Sequence, residues 1–204
     1  AEVVQRFKHV KYVRNQNNLG CVANWNRCFE LGTAPFLVLL HADDLLASHW
    51  HERCLEALRF SGQSEEVCIY LGCATFGRNC KVFDIYSHST EMLLCPPGAL
   101  LRLIWSSNCF SLIASSCIVY ALKVVERFGM FPAEDYPTMA DVPYHWQMLS
   151  QLSFVYDPRV SGLIRSDTAN KVSMQRRTEQ ARGAVRACAD AAEMLAQALH
   201  QDPR

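Results

Sequence analysis

Net charge is the first thing this chain lacks. Lysine and arginine together number 20, as do aspartate and glutamate, so there is no basic field of the kind that gathers nucleic acid. Long apolar runs are missing as well: none approaches the roughly 20 residues of a membrane-spanning helix, and no signal-peptide pattern is visible. Cysteine is plentiful at ten, yet no two are spaced Cys-x-x-Cys, and the clustered spacing of a structural zinc site is absent. Several thiols, Cys68 and Cys117 among them, lie inside apolar runs and read as small buried hydrophobes, which suits a reducing cytoplasm. There is no internal repeat and no linker long enough to separate a second domain. The 204 residues, half of them hydrophobic, suffice for one domain with a real core.

What is present is concentrated in residues 35–45, Pro-Phe-Leu-Val-Leu-Leu-His-Ala-Asp-Asp-Leu. The apolar run from Phe36 to Leu40 reads as a strand buried on both faces. It ends on His41, Ala42, Asp43 and Asp44, which puts negative charge at the carboxyl edge of a sheet, where open α/β folds bind ligands. Adjacent carboxylates repel unless something compensates them, and a divalent cation carrying a diphosphate would do so. A second reading stays open: Asp-Asp after a strand can simply cap the next helix.

Upstream, Val10, Tyr12 and Val13 suggest a short strand, and the Asn-rich run to Gly20 a loop, since Asn and Gly tolerate left-handed backbone. Residues 21–31 carry Val22, Trp25, Cys28, Phe29 and Leu31 near helical period, with Gly32 as the expected C-cap. Trp25 could stack on a nucleotide base, although its spacing favours the core. The order is strand, polar loop, helix, buried strand, acidic turn.

These residues resemble the inverting GT-A glycosyltransferases of family 2. The likeness is carried by Asn18-x-Gly20, Asn24-Trp25-Asn26, the helix leading to Leu31-Gly32-Thr33-Ala34-Pro35, and the strand running into His41-Ala42-Asp43-Asp44. It continues more weakly through Ser116–Tyr120 and Val124–Phe131 to about residue 175, with Leu163-Ile164-Arg165-Ser166-Asp167 where many relatives carry Arg-x-His. His41 stands where the family's Asp-x-Asp motif usually opens with Asp, and Asp167 where a His would be a further metal ligand.

The resemblance implies a GT-A-like (Rossmann-like) α/β fold, a mixed but mostly parallel sheet flanked by helices. It implies a partial domain over 1–175, lacking the first strands of the nucleotide-binding half, and an Ala-rich C-terminal helix within 176–204 packed on it. The implied function is transfer of a sugar, with inversion, from a nucleotide-diphosphate sugar to a hydroxyl of a glycan or lipid-linked acceptor, in surface-polysaccharide or cell-envelope synthesis. Mg²⁺ or Mn²⁺ would be held by Asp43, Asp44 and His41. Asn18, Gly20, Asn24, His41 and Asp43 would line the nucleotide-sugar site, and Asp141 would be the catalytic base. The expected setting is the cytoplasm, with peripheral attachment to the inner face of a membrane and homodimerisation left open. The rival expectation is a non-catalytic remnant that binds no donor. A metal-dependent phosphohydrolase or nucleotidyltransferase would want more clustered acidic ligands.

The remainder reads coarsely. Residues 46–59 form a helix capped by Ser48, and Val67–Leu71 a β-branched strand. Gly77-Arg78-Asn79 turns into a second strand at Cys80–Phe83, and residues 84–95 are irregular. A helix spans 99–106, a strand lies within 109–120, and a loop at 132–140 stands above the site. Residues 175–200 have strong helix propensity. Their arginines alternate with Glu179, Asp190 and Glu193, the pattern of a solvated face. His88 and His145 show no sequence partner.

Overall fold

The computed structural model describes residues 3–77, 82–87, 89–106, 114–136 and 139–166, together with positions 186, 189, 190, 192, 193 and 196. Five α-helices and seven strands lie within them: α1 (Cys21–Leu31), β1 (Phe36–Val38), β2 (Leu45–Leu46), α2 (Trp50–Phe60), β3 (Cys68–Phe76), β4 (Val82–Tyr86), β5 (Leu93–Cys95), α3 (Ala99–Ser106), β6 (Ile118–Ala121), α4 (Leu122–Phe128), α5 (Asp141–Gln151) and β7 (Phe154–Arg165).

The strands make one mixed sheet in the order β1-β6-β3-β7-β2, with β4 added on β3 and β5 on β7. The α/β architecture with a mixed sheet is the expected one, but parallel pairing is confined to β3 and β7. The other pairs are antiparallel, a correction to the mostly parallel expectation.

β3 is the centre of the molecule and is buried at every position. Its side chains alternate between the two faces, as the period of two requires. Cys68 and Tyr70 enter the larger core, with Leu100, Leu101 and Ile104 from α3 and Tyr144, Met148 and Leu149 from α5. Ile69 and Leu71 face the other way, onto Cys54 and Ala57 of α2. Helices therefore cover both faces. At Gly72 the register against β7 shifts, and a Cβ there would run into the backbone carbonyl of Pro158. Glycine allows β7 to bulge past.

Several expectations are corrected. Val10, Tyr12 and Val13 are not a strand. Their side chains are exposed and no ladder pairs them among the described residues, so nothing compensates extended backbone there. β1 is an edge strand and only half-buried, because one side of its backbone has no neighbour among the described strands. The helix expected from residue 46 begins at Trp50, with His49 rather than Ser48 before it, since Leu45 and Leu46 pair with β7. Residues 84–95 hold the end of β4 and all of β5. β7, the longest strand, had no counterpart in the sequence reading. α3 spans its expected residues, and the β3–β4 hairpin forms with its turn outside the described residues. Gly32 ends α1 with extended rather than left-handed backbone. Its lack of a side chain lets Leu37 approach within 2.6 Å of where a Cβ would stand. Most of the expected C-terminal helix, and Asp167, lie outside the described residues.

Candidate active site

The turn after β1 is closed by the Asp44 N–H donating to the His41 carbonyl at 3.2 Å. Asp44 is buried, and both its oxygens are engaged. Ser116 Oγ donates to Oδ2 at 2.7 Å, and the Arg165 N–H donates to Oδ1 at 3.1 Å. Ser116 in turn accepts the His41 N–H at 3.1 Å. The Arg165 Nε donates to the Asp43 carbonyl at 3.2 Å, and its guanidinium lies 4.8 Å over the Phe76 ring. Three segments distant in sequence thus converge on one carboxylate. Buried carboxylates require such donors, and here they fix the turn.

His41 is held differently. Its ring stacks on Trp25 of α1 with centroids 4.9 Å apart and planes 12° from parallel. Nδ1 stands 3.8 Å from Asp44 Oδ2, while Nε2 is buried without a hydrogen-bond partner among the described residues. Trp25 is half-buried, so it serves as a wall of this site as well as packing against the larger core.

Asp141 opens α5, where the N-terminal helix dipole favours a negative charge. Burial pushes its carboxyl above the ordinary aspartate range. The neighbouring His41 pulls it back down, as do the backbone N–H groups of Asp141 and Val142. The first turn of α5 and the end of β1 therefore share one electrostatic neighbourhood. Deeper in, Tyr120 Oη and His145 Nε2 are 2.7 Å apart, a pair inside the core.

The Asn-rich loop is ordered by its own side chains. Asn18 Oδ1 accepts the Gly20 N–H at 3.0 Å, and Asn15 donates to Asn24 Oδ1 at 2.8 Å. Gly20, immediately before α1, has φ 78°, the left-handed region glycine enters without strain. Asn18, Gly20 and Asn24 are all exposed, the first two on the loop before α1 and Asn24 on its first turn, beside Trp25.

The sequence reading includes Ser116, Phe131 and Arg165 only in the weaker stretches of the likeness and gives none of them a role in the site. The signal available for the first was a pair of serines, Ser115-Ser116, set directly before an apolar strand. Buried hydroxyls mostly have partners, and Ser116 finds two, Asp44 and His41.

As a metal site the donor set is short by itself. Among the described residues no group of three or more His, Cys, Asp or Glu side chains is arranged to hold an ion. A magnesium-like ion, however, usually takes one or two carboxylates and completes its shell with water and substrate phosphates. Asp43 and His41, whose Nε2 has no hydrogen-bond partner among the described residues, are compatible with that mode; Asp44 is committed to Ser116 and Arg165.

Residues 1–82 match the model of Glycosyl transferase family 2. The matched stretch, about two-fifths of the chain, holds α1, β1, the His41–Asp44 turn, α2 and β3, and it supports a family 2 glycosyltransferase domain here, on a GT-A-like, Rossmann-type mixed sheet. Such a match supports a glycosyltransferase function in general, the family's enzymes taking a nucleotide-sugar donor and a glycan acceptor. The match stops short of Asp141. No curated protein matches the chain.

Proposed function

We propose that this protein transfers a sugar from a nucleotide-diphosphate sugar to an acceptor hydroxyl with inversion at the anomeric carbon, assisted by a divalent cation. The observation that supports the reading is the run of ring contacts from His41, after β1, through Trp25 and Phe131 to Tyr144 on α5, the helix that Asp141 opens. It brings a half-buried carboxylate to the same region as the acidic turn.

Asp141 is the base. It takes the acceptor proton as the hydroxyl oxygen attacks the anomeric carbon, and the bond to the diphosphate breaks on the opposite face. Burial raises its affinity for that proton. Asp43 and His41 would hold Mg²⁺ or Mn²⁺, whose chemistry is to neutralise charge on the diphosphate leaving group. Asp44 acts through the turn, keeping His41 and Asp43 in place from its bonds to Ser116 and Arg165. Asn18, Gly20 and Asn24 line the nucleotide side, around the N-terminus of α1. The acceptor is a glycan or lipid-linked hydroxyl in surface-polysaccharide or cell-envelope assembly, at the cytoplasmic face of a membrane. Among the described residues no helix is long and apolar enough to cross one.

Calorimetric titration with a panel of nucleoside-diphosphate sugars, with and without Mn²⁺, tests the reading. Cation-dependent binding of at least one donor, followed by release of the nucleoside diphosphate when acceptor is added, is the expected result. Failure of every donor to bind would leave the rival, a non-catalytic protein acting by self-association, for which β1 offers an edge unpaired among the described strands.

A further inference from the structure

The two halves of the candidate site come from segments that do not adjoin in sequence, and a continuous set of rings joins them. From the His41–Trp25 stack, Trp25 meets Phe131 edge-on at 5.7 Å between centroids. Phe131 then packs on Tyr144 of α5 at 4.6 Å and on His145 at 6.0 Å. Tyr144 and His145 lie on the first turns of the helix that Asp141 begins. Phe131 is buried and stands at the junction of α1 and α5.

Phe131 is also gripped through its backbone. The Asn26 side chain donates from Nδ2 to the Phe131 carbonyl at 3.0 Å and accepts the Phe131 N–H on Oδ1 at 3.0 Å. One amide thus satisfies both main-chain groups of a residue outside any helix or strand, where an unmet pair would be costly. From the opposite side, Tyr144 Oη donates to the Gly129 carbonyl at 3.0 Å. Asn26 is one residue beyond Trp25 on α1, so the clasp and the ring contact act on the same short stretch of helix.

We infer that Asn26 is a positioning residue for the transfer reaction: by clasping Phe131 it locks the ring bridge that sets the spacing between His41 and Asp141. The inference rests on the glycosyl-transfer reading for its catalytic consequence, though not for the bridge itself. Asn26 touches neither reacting group. Releasing Phe131 lets α5 drift relative to α1, so the base loses alignment while the nucleotide side stays intact. A displacement of about 1 Å at a reacting centre can cost about 100-fold in rate.

The test compares Asn26→Ala, Asn26→Asp and Cys54→Ala in the full chain. Cys54 packs in the other core, under α2, and controls for general loss of stability. With the donor that binds in the titration above, Asn26→Ala should lower kcat about 10- to 100-fold with the donor Kd unchanged. Asn26→Asp keeps the acceptor for the Phe131 N–H and loses the donor to its carbonyl, so its kcat should fall between Asn26→Ala and the parent. Independently of turnover, NMR signals of the His41 ring, the Trp25 indole and the Asp141 amide should all move in Asn26→Ala and stay in place in Cys54→Ala. A kcat loss no larger than that of Cys54→Ala, or unmoved His41 and Asp141 signals, overturns the inference. If the parent chain transfers no sugar from any donor, the transfer reading falls, and the NMR comparison still decides whether Asn26 holds the bridge.

Discussion

The hydroxyl of Ser116 donates to the buried carboxylate of Asp44 across 2.7 Å, and that bond joins the turn after β1 to the segment entering β6. Ser116→Ala leaves Asp44 Oδ2 without its donor, and stranding a buried acceptor costs about 1–3 kcal/mol. The variant should melt at a lower temperature than the parent in a thermal scan at neutral pH. An unchanged midpoint would mean that water replaces the hydroxyl.

Asp43→Asn keeps the volume of the side chain and removes its charge. Donor binding in Mn²⁺ should weaken about tenfold or more, in keeping with the several kcal/mol a cation contributes at a diphosphate, while binding without the cation stays as in the parent. Calorimetry under both conditions makes the comparison, and equal losses in the two would count against a cation at Asp43.

Asp141→Asn should leave donor affinity intact and reduce turnover by about 10²- to 10⁴-fold, the usual contribution of a positioned base. Weakened donor binding with surviving turnover would move Asp141 out of that role.

The same variant carries a stability signature whose sign is set by burial. Asp141 binds its proton more tightly in the folded chain than in the unfolded one. Folding is therefore favoured while the group is protonated, and the advantage is lost as pH rises from the unfolded aspartate value through the higher folded one. At neutral pH the parent bears the cost of holding the charged form, and Asp141→Asn does not. Asp141→Asn should thus resist urea better than the parent at pH 7, with the gap closing as pH falls below the range of free carboxyls. Parallel denaturation curves at the two pH values read it out.

Gly72→Ala should be among the most damaging single-methyl changes in the sheet. The added Cβ meets the main chain at Pro158, which cannot swing aside as a flexible side chain could. Overpacking of this kind costs about 1–3 kcal/mol, measurable as a shift in the urea midpoint. A tolerated alanine would show that the bulge in β7 gives way.

Local pattern carried the sequence reading where structure is local. The apolar spacing of α1 and α3 marks each helix within a few residues. What escaped depends on partners far along the chain. β7 contains Pro158 and Gly162 and alternates poorly, because its bulge and its neighbour β3 decide its course. The His41–Asp44 turn was visible as a knot of chemistry, yet the Ser116 and Arg165 donors that complete it come from other segments. Val10, Tyr12 and Val13 had the composition of a strand, but a strand exists only where a ladder receives it. His145 found its partner, Tyr120, through tertiary packing alone.

The position of β3 between β6 and β7 also governs how the chain can mature. Among its described neighbours only β4 follows it closely, and that strand pairs residues 73–76 alone; β6 and β7 are encoded well after it, so a nascent polypeptide leaves the ribosome with this strand, buried along its length in the folded chain, only partly sheltered. Contacts this far apart in sequence close slowly. During that interval residues 68–76, rich in β-branched, aromatic and thiol side chains and without a single charge, are a natural target for chaperones that shield extended hydrophobic stretches.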